Sequence, residues 1–257
     1  MYEYEGLQDV IFIALYCVAA FAALLACVYL LCRRGNAFMQ EKGPESVKTI
    51  ETPNGPLRLG SGVRSSLRLR RWTAALMAAI VGSHVWWYVL GQVWLTDDRL
   101  VRNIVAIALD HITLVPLTMA VLLSMLQDRR RPLWPWLVAE VSAVVVTAVM
   151  GIAGRDEFWG YDVLGYCQLA LIAGFIVYYA LALRHYGRWL RDNYANLEHK
   201  EVWQSLVFAV GLFVVYEVYT SNGGELLREY LSQVVTLVII AFLLWRVETL
   251  QELKDEA

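Results

Sequence analysis

An all-α membrane protein is the fold class this sequence predicts: a seven-transmembrane helical bundle, N-terminus outside and C-terminus cytoplasmic. Three observations predict it. The chain of 257 residues is 58% hydrophobic. Its apolar residues gather into seven runs, each close to the 20 or so residues that cross a hydrocarbon core of roughly 30 Å at 1.5 Å per residue. Folded as alternating spans, those runs leave eighteen of the 22 lysines and arginines on one side. Loop bias of this kind marks the cytoplasmic face.

Span one is read as residues 10–32. Three acids and no base precede it in the first nine residues, which suits an external tail and argues against a cleavable signal peptide. Residues 33–71 form the only long loop. They contain GPES, TPNGP and GSG, which is turn chemistry, and nine basic residues. The loop is expected to be flexible. Its alternating end, Ser65 to Arg71, is expected to lie on anionic headgroups.

Span two is residues 72–95 and span three 103–126, with Pro116 as a place to kink. Span four is 134–154, with Pro132 and Pro135 at its opening, where a missing N–H costs little. Span five is 161–183. The charged, aromatic stretch Arg184 to Gln204 is expected to be a helical collar leading to span six, 202–220. Span seven is 226–245, with Arg228 snorkelling at the outer rim. Residues 247–257 are expected to continue it into water as a cytoplasmic helix, with Val247, Leu250 and Leu253 at three-residue spacing. Tryptophans and tyrosines near the span ends, such as Trp72, Trp134, Trp203 and Trp245, fit an interfacial belt.

Several chemistries are excluded or unsupported. No span contains lysine, so no retinal Schiff base can form. The four cysteines lack CxxC spacing and read as small apolar fillers. HExxH, GxSxG and phosphate-loop patterns are absent, so no catalytic residue, metal or cofactor is expected, although His84 and His111 have the matched depth of a haem pair. The net charge of −2 gives no nucleic-acid signal.

Ionisable residues within spans are costly and usually face the bundle interior. His84, Asp110, His111, Glu140 and Glu217 are such residues. Depth arithmetic gathers Asp110, His111 and Glu217 in the outer half, with His84 beneath and Glu140 lower. Trp87 and Tyr166 share that half. His84, Asp110, His111, Glu217, Trp87 and Tyr166 are therefore the candidate lining of a pocket for a small ligand of unknown identity. The same residues also suit plain interhelical hydrogen bonds.

LRDNYANLEHKEVWQS (Leu190 to Ser205) and LLWRVETLQEL (Leu243 to Leu253) resemble the multi-span membrane portion of bacterial membrane-anchored AraC-type helix-turn-helix regulators and related sensor histidine kinases. The resemblance covers mainly the second half of the chain. It implies a sensor of the bacterial inner membrane that passes a stimulus through span seven to a cytoplasmic DNA-binding or kinase output, in the service of transcription regulation, with homodimerisation through the extension. No helix-turn-helix or kinase motif follows Leu253 here, so no DNA-binding residue is carried over. A small-solute or proton carrier and a ligand-free membrane anchor are the competing expectations.

Overall fold

Helix α1 (Leu7–Cys32) shows how this chain packs. Ala19, Ala23 and Ala26 are buried, while Phe21, Leu24, Leu25, Val28 and Leu31 are exposed. Small residues inward and large apolar residues outward is the reverse of a water-soluble helix. It is the arrangement of a lipid-facing one, where close backbone approach drives helix association.

The computed structural model describes residues 7–33, 48–52, 55–59, 65–93, 99–153, 160–194, 197, 199–220 and 225–253. The acidic tail before Leu7, the loop at 34–47 and the last four residues lie outside the described residues, as do the side chains of Glu217 and Arg228. After α1 come strands β1 (Lys48–Thr52) and β2 (Gly55–Leu59), then α2 (Leu67–Val93), α3 (Arg99–Met125), α4 (Trp134–Ala153), α5 (Gly160–Asn193), α6 (Trp203–Thr220) and α7 (Glu225–Thr249). Five helical segments are long and apolar enough to cross a membrane: Val10–Cys32, Leu67–Leu90, Val105–Met125, Tyr166–Asn193 and Tyr230–Thr249. The described apolar stretches of α4 and α6 are shorter, Trp134–Val146 and Trp203–Val215. The architecture is that of a multi-pass helical membrane protein.

Each helix packs on the next in the chain, and α7 packs on α6, α1 and α2. The helices therefore close into a ring. A packed cluster lies at one end, where Leu69 of α2, Met125 of α3, Tyr186 and Leu190 of α5 and Val247 of α7 are all buried.

Three expectations change. First, the loop at 33–71 contains an antiparallel hairpin, paired from Lys48 with Leu59 to Thr52 with Gly55. Only Pro53 and Asn54 stand between the strands in sequence, both residues that favour turns. Second, Ser65 to Arg71 is not part of a loop but leads into a helix, with two of its residues turned inward. Helix α2 starts at Leu67, with Ser66 Oγ accepting from the Leu69 N–H (3.3 Å) as an N-cap. On that helix Leu69 and Arg70 turn inward and Arg68 and Arg71 outward. Third, α7 stops at Thr249 and does not extend as a helix through Leu253. Val247 and Leu250 are buried, so their three-residue spacing reports burial rather than a solvated stalk.

The collar also resolves into parts. Helix α5 runs 34 residues, roughly 50 Å, so its last turns outrun a 30 Å hydrocarbon core. The chain then reverses through His199, whose φ of 62° is left-handed, before α6 begins.

Candidate functional site

Polar side chains near mid-bundle form a belt that joins six helices. Its first part ties α7, α2 and α1. The His84 Nδ1–H donates to the Ile80 carbonyl (2.8 Å), and Nε2 lies 3.1 Å from Gln233 Oε1. The Tyr16 hydroxyl donates to the His84 carbonyl, and the Tyr16 and His84 rings lie 4.5 Å apart between centroids.

The second part ties α2 to α3. Asp110 Oδ1 accepts from Ser83 Oγ (2.6 Å) and Trp86 Nε1 (3.1 Å), and Oδ2 accepts from Trp87 Nε1 (2.8 Å). Both oxygens are engaged. Three such bonds between spanning helices amount to about 2 kcal/mol at the average value for membrane bundles. Gly82 permits the geometry, because a Cβ there would stand 2.9 Å from the Trp86 ring and push the indole off Asp110.

The third part ties α3, α4 and α5. His111 Nδ1 lies 3.4 Å from Glu140 Oε1, which also accepts from Gln168 Nε2 at 2.6 Å. Glu140 and Gln168 are fully buried. Glu140 Oε2 and Gln168 Oε1 have no hydrogen-bond partner among the described residues. A buried polar atom without a partner costs roughly 1–3 kcal/mol, so of the three clusters this one has most to gain from a small polar ligand.

A second polar layer lies at the tightly packed end. Arg70 Nη1 is 3.3 Å from Glu248 Oε1, with both side chains almost fully buried. Tyr29 donates to the same oxygen (2.7 Å), and Arg70 donates to Ser65 Oγ (3.0 Å) and to the Arg33 carbonyl (2.7 Å). The segment after α7 is fastened as well. The Gln251 N–H donates to the His199 carbonyl (2.8 Å), and Gln127 pairs with both Gln251 and Leu253 (2.9 and 2.8 Å). Arg246 donates to the Glu201 carbonyl.

Of the residues singled out in the sequence, Trp87 and Asp110 touch each other. His84 faces the other way, towards α1 and α7, and His111 faces α4. Tyr166 is 72% exposed. Glu140 sits level with His111 rather than lower. Helix α3 begins at Arg99, which puts His111 near its middle, and the non-helical Leu126–Leu133 link lets α4 start at Trp134 above the end of α3. Sequence reasoning missed Tyr16, Ser83, Gln168 and Gln233 because they are neutral. An amide inside an apolar run, as in CQLAL or SQVVTL, is the signal that finds the two glutamines. Arg70, Arg131 and Arg246 are among the basic residues that flank the apolar runs, yet each is no more than 5% exposed.

No family model, curated protein or solved structure matches this chain.

Proposed function

We propose that this chain is a seven-span sensor module of the bacterial inner membrane, N-terminus outside and C-terminus cytoplasmic, that passes a stimulus received within the bundle to a cytoplasmic output. One observation carries this reading: α7 is tied to α2 at two levels. Gln233 meets His84 in the belt, and Glu248 meets Arg70 fifteen residues further on, roughly 22 Å along the helix. A change at the upper contact therefore bears on the lower one through a single rigid element. The lower contact in turn adjoins Gln251 and Leu253, held by His199 and Gln127. A stimulus acts only by favouring one helix arrangement over another. The belt supplies the means, since its first and second clusters share α2 and its second and third share α3, and the incompletely satisfied Glu140–Gln168 pair is where a polar ligand gains most.

The test is amide hydrogen exchange on the full chain in lipid nanodiscs, comparing wild type with His84→Ala/Gln233→Leu. Faster exchange at Leu250, Gln251 and Leu253, more than 20 Å away, is the expected result. Unchanged exchange there, with the belt contact removed and the fold retained, would end the proposal that α7 conveys movement.

A further inference from the structure

The last turns of α5 and the start of α6 enclose a recess of about 380 Å³ at the basic end of the bundle. Arg184, Arg188 and Arg191 line it. Their spacing of four and three residues sets the three guanidiniums along one helix face. Like charges so placed repel, and a helix that keeps them without compensation has a use for a counterion. Among the described residues, no salt bridge involves any of the three. One carboxylate, Glu201, also lines the recess, so three positive charges stand against one negative. Val202 and Trp203, the residue before α6 and its first residue, form another part of the wall, and a helix N-terminus adds partial positive charge there. Trp203 is half-exposed and Arg184 directly follows Leu183, the end of the apolar run, so the recess sits where headgroups meet the hydrocarbon.

We propose that this recess binds a phosphate group, supplied by an anionic phospholipid headgroup or by free phosphate. Guanidiniums match phosphate oxygens in paired hydrogen bonds. Basic hollows between spanning helices at the cytoplasmic rim are suited to anionic headgroups. The site lies apart from the mid-bundle belt and does not depend on the sensor reading.

The experiment uses the full chain purified in detergent, with native mass spectrometry counting retained phosphatidylglycerol against phosphatidylcholine. The double variant Arg184→Gln/Arg188→Gln is compared with Arg129→Gln/Arg130→Gln, which removes two exposed charges outside the recess. At about fivefold per basic residue, the recess variant is expected to lose phosphatidylglycerol affinity roughly tenfold or more, and the control far less. Millimolar inorganic phosphate identifies the source: competition shows that the site takes the free anion, and undiminished phosphatidylglycerol binding shows that it takes the lipid. Equal losses in the two variants, or equal retention of the two lipids by wild type, would overturn the proposal. The substituted arginines are exposed, so a matching melting temperature checks that each variant is folded.

Discussion

Arg70 and Glu248 illustrate how little the net charge of a residue says about its place. Both are charged residues near the ends of apolar runs, and each is no more than 3% exposed. Desolvating two charges is costly, and the pair endures because Tyr29, Ser65 and the Arg33 carbonyl supply further hydrogen bonds. Removing one partner strands the other, so Glu248→Leu is expected to destabilise the protein by about 3–5 kcal/mol. Replacing both, as Arg70→Met/Glu248→Leu, is expected to recover most of that loss. A double-mutant cycle read from unfolding in detergent checks the difference, and additive single effects would show that the pair is not coupled. At this scale the sequence made the acids and histidines of the spans visible, because a charge in an apolar run is an anomaly. It hid their partners: a carbonyl or a tyrosine is no anomaly, and which group lies opposite is decided by another helix.

Among the elements, α1 is the most legible, the hairpin inside the loop at 33–71 is not read at all, and the end of α7 is misread. The apolar run at 10–32 matches a spanning segment found at Val10–Cys32. The face it buries was not legible, since Ala and Leu alternate without an obvious polar stripe. Packing resolves it. Ala23 has no exposed surface, whereas Leu24 is 46% exposed. Ala23→Leu forces extra volume into a closed contact with α2 and α7, and is expected to cost about 1–3 kcal/mol. Leu24→Ala removes only outward-facing atoms and is expected to change stability by less than about 0.5 kcal/mol. Unfolding by graded SDS addition ranks the two, and the reverse order would refute the assigned face. In α7 the apolar period of the sequence predicts helix past Thr249. Instead Leu250 to Leu253 leaves the helix and lies against Gln127 and His199, because bonding two neighbouring segments there satisfies backbone groups that a free helix would leave to water.

For the whole molecule, the ring of helices and the sided distribution of basic residues belong together. The proposed orientation puts Met1 outside and Ala257 inside. Protease added to intact spheroplasts is expected to remove an N-terminal tag and to spare a C-terminal one until the membrane is opened. The opposite pattern would invert the topology and move the arginine recess to the outer face. Ring closure through α7 is what makes the tightly packed end continuous, since α7 packs on α6, α1 and α2.

The sequence by itself determined that this chain is a helical membrane protein, where most of its apolar helices lie and which residues inside them are out of place. Those properties follow from run length and hydropathy, which are local. Only the tertiary structure decided that Asp110 is held by two tryptophans and a serine of α2, that His84 and His111 serve different clusters, and that Arg70 and Glu248 meet across 178 positions of chain. Those pairings depend on the rotation and relative height of neighbouring helices. Both are set by side-chain packing between elements distant in sequence, and composition and periodicity do not encode them.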